Sequence, residues 1–185
     1  LALVCGDVVV WKPSEKTPLC AVACQHILAE VLAQNKIKEG VSSLVIGDKK
    51  IGELIAHDCR VALVSATGST RMGIEVNKVV AARLGKAILE LGGNNAIIVT
   101  PDADLKIMLT SAVFGAVGTA GQRCTTTRRL IIHESIYDKV KESLVNAYKQ
   151  IKIGNPLDSA NHVGPLIDQD AVKMYTDALL QIEKE

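Results

Sequence analysis

Short continuous apolar runs rich in β-branched residues alternate along this chain with segments whose apolar positions recur at helical spacing. Asp7-Val8-Val9-Val10-Trp11-Lys12 predicts a buried strand ending at Pro13. Thr17 then stands where a helix cap belongs and Pro18 at a first helical position, with Leu19, Val22, Ala23, Ile27 and Val31 on one predicted face. The run 42–46 and the segment Val61-Ala62-Leu63-Val64 predict strands on either side of a helix over 50–56. A turn is expected over Ser65 to Thr70, then a helix through Met72, Val76, Val79 and Val80, then a strand at 87–89. Gly92-Gly93 interrupts the pattern. Beyond it come a strand at Ala96-Ile97-Ile98-Val99, a helix opened by Pro101-Asp102, a strand at Leu130-Ile131-Ile132 and a helix capped by Ser135. Strands made of unbroken apolar runs and alternating with helices are what a parallel sheet covered on both faces requires. The expected class is therefore α/β, with a domain boundary at Gly92-Gly93 dividing 1–92 from 93–185.

Composition narrows the partners. Apolar residues make up 48% of the 185 but aromatics only 3%, so the core must be aliphatic. A net charge of +1, from 21 basic and 20 acidic residues, provides no field to collect nucleic acid or anionic lipid. No apolar run reaches the roughly 20 residues of a membrane span. The chain opens on Leu1 without a Met, which reads as a piece of a longer protein. Its five cysteines, an odd number at irregular spacing, favour reduced thiols and an intracellular compartment. Cys20 and Cys24 lie one helical turn apart, but no second ligand pair accompanies them and a zinc site is rejected.

Four short stretches carry candidate chemistry. Gly68-Ser69-Thr70-Arg71-Met72-Gly73 lies between a predicted strand and helix, where free backbone N–H groups and the helix dipole seat a phosphate. It departs from the standard dinucleotide fingerprint, because Thr70 replaces the middle glycine. An ordinary capped helix start stands level with that reading. Lys12 and Glu15 follow the first strand, where ligands of open α/β sheets bind, although a solvated charge pair is the simpler account. Glu90 falls 22 residues after Gly68, near the place of a ribose-binding acid. Set between Leu89 and Leu91, it also reads as a partly desolvated general base or as a structural carboxylate. Cys124 follows Arg123, which would favour the thiolate if it points inward. On the residues alone, a buried inert cysteine outranks a nucleophile.

The order of these stretches is more specific than any one of them. Trp-Lys-Pro-Ser-Glu from Trp11, Gly-Ser-Thr-x-x-Gly from Gly68, Glu-Leu-Gly-Gly-Asn-Asn from Glu90 and Gly-Gln-Arg-Cys from Gly121 resemble the NAD(P)+-dependent aldehyde dehydrogenase superfamily. Gly154-Asn155-Pro156-Leu157 and Gly164-Pro165-Leu166-Ile167 fit the same pattern. The longer stretches Ala66–Gly73 and Gly121–Arg129 look like its antiquitin-like branch, whose members oxidise α-aminoadipic semialdehyde in lysine breakdown.

The resemblance implies a Rossmann-like coenzyme domain followed by the start of an α/β catalytic domain. It implies Cys124 as nucleophile and Glu90 as general base. NAD would be held by Lys12, Ser14, Glu15, Gly68, Ser69, Gly73 and Leu91, with Lys12 and Glu15 on the ribose and Ser69 on the phosphates. Arg123 matches the position that faces the substrate's carboxylate in that branch. Glu15 would repel a 2′-phosphate, so NAD+ is expected over NADP+. Also implied are a homo-oligomer and a small-molecule aldehyde substrate, while the composition argues for no nucleic-acid or membrane partner and the cysteines for an intracellular location, cytoplasmic or mitochondrial. The family's oxyanion asparagine, in a Pro-Trp-Asn motif, would precede Leu1, and its nicotinamide-ribose glutamate would follow Glu185. Loss of one oxyanion donor costs about 10²–10³ in rate, so little activity is expected of the 185 residues alone. A structural, crystallin-like homologue or an inactive fragment of the same fold is the alternative reading.

Overall fold

The computed structural model describes residues 1–38 and 40–184, which divide into two compact units, Leu1–Glu90 and Leu91–Glu185. In the first unit β1 (Val9–Trp11) pairs in parallel with β2 (Ser42–Leu44), and β3 (Leu63–Thr67) in parallel with β4 (Lys86–Glu90). Three helices connect these strands: α1 (Pro18–Gln34), α2 (Lys49–His57) and α3 (Thr70–Ala82). Parallel neighbours require such crossovers, because a tight turn cannot return the chain to the same end.

Ala56, Val64 and Val80 form the core of this unit, with Val61, Ala66, Val76, Val79 and Ala87 packed around them. Arg83 braces it by donating to the carbonyls of Ala56 (2.9 Å) and Val61 (2.8 Å). Along β3 only Val64 is buried and Ala66 half-buried, while the alternate residues Leu63, Ser65 and Thr67 are exposed. Among the described residues the β3–β4 pair is thus covered on one face, not on both as its apolar composition predicts.

The face expected of α1 is corrected. Leu19, Ala23, Ile27 and Val31 are exposed, while Val22 is half-buried beside the covered stripe Ala21, Gln25, Leu28 and Leu32. The helix is apolar almost all round, so periodicity cannot select its inner side. Gln25 selects it, since its amide donates to the Ser42 carbonyl at 2.9 Å and ties α1 to β2. Thr17 occupies the cap position but its side chain makes no capping bond.

In the second unit β5 (Asn95–Val99) pairs in parallel with β6 (Thr127–Ile132), with α4 (Leu105–Val117) between them and α5 (Tyr137–Tyr148) and α6 (Gln169–Ile182) after them. Its core is Val99, Met108, Ala112 and Val140. Two starts differ from expectation. Asp104, not Pro101-Asp102, opens α4 by accepting from the N–H groups of Lys106 and Ile107. The His133 ring accepts from Ser135 N–H, and α5 begins only at Tyr137, after a short 3-10 turn. Strand β6 starts three residues before the apolar run, at Thr127, and α6 is an addition to the predicted elements.

Candidate active site

In the first unit the site is built on strand ends. The chain leaves β1 as Lys12-Pro13-Ser14, and a cleft of about 340 Å3 opens there, lined by Trp11, Lys12, Ser14, Thr17, Cys20 and Cys24 with Ser65 and Thr67 of β3. Ligands of parallel α/β folds bind beyond the carboxyl ends of strands, and this cleft has that position. Lys12 is held in place: its ammonium donates to the Gly47 carbonyl at 3.1 Å and lies 3.5 Å from the Glu15 carboxylate. Its stem runs alongside Gly52 of α2. A hydrogen bond from its own backbone N–H, then Lys12, holds the Glu15 carboxyl below its usual value, so the side chain is an anion at neutral pH.

The turn from β3 to α3 is shorter than expected, since Ser65, Ala66 and Thr67 belong to the strand. Ser69 caps α3, its hydroxyl accepting from Met72 N–H at 3.2 Å. Gly73 is buried in the first turn and donates to the Ser69 carbonyl at 2.9 Å. Among the described residues, the N–H groups of Thr70 and Arg71 have no acceptor, which leaves an anion seat at a helix N-terminus. Parallel pairing sets Glu90 opposite Thr67, and Gly68 N–H donates to the Glu90 carbonyl at 3.0 Å. The phosphate-type turn and Glu90 are therefore neighbours on one sheet. The Glu90 side chain is exposed, not shielded between Leu89 and Leu91.

In the second unit α4 ends in an unusual segment. Thr119, Ala120 and Gly121 all take left-handed backbone angles, with φ of 56°, 53° and 70°. For a β-branched threonine this is costly, and such strain persists only where surroundings enforce it. Here Arg123 Nε donates to Thr119 Oγ1 at 2.8 Å, and the guanidinium lies over the Phe114 ring, 5.2 Å from its centre. Gln122 accepts from Ile167 N–H at 2.9 Å.

Cys124 then sits at the first corner of a β-turn closed by Thr126 N–H donating to the Arg123 carbonyl at 3.2 Å. Thr126, the one buried polar residue among those described, takes Arg123 N–H on its hydroxyl at 3.1 Å. Cys124 is exposed, contrary to the buried reading of the residue alone. Among the described residues its N–H has no acceptor. An accessible thiol beside an unpaired N–H can attack a carbonyl and stabilise the oxyanion that results.

Sequence reasoning missed one residue here. Asn95, at the start of β5, donates its side-chain amide to the carbonyls of Cys124 (2.7 Å) and Thr126 (3.1 Å). Nearby, Arg128 donates to the Gly93 carbonyl at 3.0 Å and Arg129 to the Asn94 carbonyl at 2.7 Å. Leu91, predicted to touch the cofactor, is half-buried in this unit. No helix among the described residues is long and apolar enough to cross a membrane, and none of their His, Cys, Asp and Glu side chains forms a metal-binding group of three.

The chain belongs to the aldehyde dehydrogenase family, whose model matches residues 1–185. It is 50% identical over its full length to aldehyde dehydrogenase family 7 member B4 of Arabidopsis thaliana, covering 36% of that protein. It is 49% identical, again over its full length, to the alpha-aminoadipic semialdehyde dehydrogenase of Bos taurus, covering 34% of it. The chain thus spans about a third of the length of these relatives.

Among solved structures it is similar to betaine aldehyde dehydrogenase from Staphylococcus aureus in complex with NAD+. There the TM-score is 0.83 and the identity 32%, over 92% of this chain and 34% of that one. It is also similar to glyceraldehyde-3-phosphate dehydrogenase from Methanocaldococcus jannaschii complexed with NADP. That match has a TM-score of 0.88 and an identity of 35%, over 94% of this chain and 38% of that one. These neighbours bear out the Rossmann-like α/β class expected from the sequence.

Proposed function

We propose that the protein carrying this chain oxidises an anionic semialdehyde of the α-aminoadipic type to a carboxylic acid, using NAD+. On this reading residues 1–92 are the later part of a coenzyme domain and 93–185 the start of a catalytic domain. The Cys124 turn supports it most, because an exposed thiol and an N–H with no acceptor among the described residues are what attack on an aldehyde needs.

The cleft residues fit a dinucleotide. Lys12, a donor held by the Gly47 carbonyl, and Glu15, an anionic acceptor beside it, suit the hydroxyls of a ribose, and Ser14 lines the same cleft. The α3 N-terminus, with Gly68, Ser69 and Gly73, suits the phosphates, and the family resemblance assigns Leu91 to the cofactor as well. The Glu15 anion disfavours a 2′-phosphate and so favours NAD+ over NADP+. When bound, the nicotinamide supplies a two-electron acceptor.

The chain's own residues supply the rest. The Cys124 thiolate adds to the aldehyde carbon and its N–H donates to the oxyanion of the thiohemiacetal. Once that carbon is oxidised, Cys124 carries a thioester. Glu90 takes a proton from water, which hydrolyses the thioester and frees the thiol. Arg123 receives the substrate's carboxylate: Nε is bonded to Thr119, while both Nη groups lack a hydrogen-bond partner among the described residues and form a planar fork. The free thiols fit a reducing compartment, cytoplasmic or mitochondrial, and the family resemblance favours a homo-oligomer.

The test is NADH formation by the full-length protein with α-aminoadipic semialdehyde and with a neutral aldehyde of similar length. Arg123→Ala should raise KM for the anionic substrate at least tenfold more than for the neutral one. Equal effects on both would remove the carboxylate clamp. Glu15→Gln should narrow the preference for NAD+ over NADP+, and an unchanged preference would reject its role in cofactor choice.

A further inference from the structure

We propose that Asn95 is the positioning residue for Cys124, its side-chain amide locking the turn that presents the thiol and the N–H. The proposal rests on the reading of Cys124 as nucleophile and goes beyond it.

Two peptide planes flank Cys124, and each is pinned through its carbonyl. The Arg123 carbonyl accepts Thr126 N–H at 3.2 Å, within the turn itself. The Cys124 carbonyl accepts the Asn95 amide at 2.7 Å, from a strand 29 residues away in sequence. The same amide reaches the Thr126 carbonyl at 3.1 Å, so one side chain bridges both sides of the turn. Its identity is fixed by chemistry, since a group facing two carbonyl oxygens must be the –NH2 and not the oxygen. With these carbonyls occupied, the Cys124 N–H has no acceptor among the described residues and the thiol is exposed.

The surrounding backbone is shaped for this tie. Asn95 is opposite Thr127, but Ala96 is opposite Arg129, so the ladder skips Arg128 in a bulge. Bulges re-aim side chains and end regular pairing, and they gather near active sites. A Cβ on Gly93 would stand 2.9 Å from the Asn95 side-chain oxygen, so glycine leaves the room the amide occupies. Arg128 and Arg129 hold the Gly93 and Asn94 carbonyls and steady the segment that carries Asn95. An aspartate at 95 would turn a carboxylate toward two carbonyl oxygens, and a leucine would fill the volume without donating.

The experiment uses Asn95→Leu and Asn95→Ser with two readouts. The first is amide hydrogen exchange. Asn95→Leu should speed exchange at Arg123 and Thr126 at least tenfold while Val99 and Val140 in the core keep their rates. A purely structural role would speed all of them together and overturn the proposal. The second is steady-state kinetics of the full-length protein, where kcat should fall about 10- to 100-fold, the scale of a small misplacement, with KM for NAD+ within twofold. A kcat within twofold of the unaltered protein overturns it also. If Asn95→Leu does not fold, Asn95→Ser, which keeps a shorter donor, must show the same pattern at smaller amplitude, and its failure to do so overturns the proposal. Cys124→Ala run alongside separates the two readings. If it keeps turnover, the nucleophile assignment fails; if it loses turnover and the Asn95 variants do not, only the positioning role fails.

Discussion

Replacing Thr126 with valine removes a single hydrogen-bond acceptor at nearly constant shape. Thr126 is 5% exposed, and its hydroxyl is the acceptor for Arg123 N–H at 3.1 Å. An unsatisfied buried donor costs about 1–3 kcal/mol. Arg123 is itself exposed, so water can partly reach the orphaned N–H, and the lower end, about 1 kcal/mol, is expected. For a unit of this size each kcal/mol lowers the melting midpoint by roughly 4–8 °C. The control is Thr126→Ser. It keeps the acceptor but deletes the methyl that lies beneath Gly121, at about 0.8 kcal/mol for one carbon. Both variants should therefore melt a few degrees early, and melting alone cannot tell them apart. Amide exchange at Arg123 can: valine should unprotect that amide and serine should not. If Thr126→Val left the Arg123 amide protected, or Thr126→Ser exposed it equally, the reasoning would be wrong.

Other positions give independent checks. Gly121→Ala combines a φ of +70° with a Cβ 3.2 Å from the Ala116 carbonyl oxygen, a backbone atom that cannot easily move. It should cost about 1–2 kcal/mol, read as a lower urea midpoint at unchanged slope, and an unchanged midpoint would contradict it. The Arg60 guanidinium beside Asp58 lowers that carboxyl from 3.8 to about 2. Because the folded value is the lower one, its stabilisation is complete above pH 3.8 and fades as pH falls toward 2. Carbon NMR titration should show Arg60→Gln returning Asp58 toward its ordinary value, and an ordinary value in the unaltered chain would refute the ion pair. Cys20 and Cys24 are exposed and line the cleft, so saturating NAD+ should slow their alkylation severalfold while Cys5 and Cys59 react as before. Equal rates with and without NAD+ would place the cofactor elsewhere.

The contrast between what could and could not be read from the sequence is physical. The strands around Val9, Val64, Ile88 and Ile97 were legible because each is a short apolar run bounded by turn residues. A capped start for α3 was legible from the Ser/Thr residues between strand and helix, and the structure makes Ser69 that cap. Helix α6 carried a comparable signal, Asp168 accepting from Ala171 N–H at its start, and the apolar spacing beyond it could have found it. Strand β6 hid its beginning because Thr127, Arg128 and Arg129 are polar. Their pairing with 93–95 is tertiary. The inner side of α1 was hidden by too many apolar residues, and only Gln25 reaching Ser42 resolves it. Asn95 left no local trace at all. Its partners lie 29 and 31 residues downstream, and nothing in Gly-Gly-Asn-Asn distinguishes it from Asn94.

The central claim is that Cys124 forms a covalent adduct that Glu90 helps to release. Glu90→Gln in the full-length protein should arrest the reaction after acylation. Mixed with NAD+ and α-aminoadipic semialdehyde, it should give one equivalent of NADH in a burst, and peptide mass mapping should place an acyl group on Cys124. Steady turnover without an adduct, or an adduct on any other cysteine, would contradict the account.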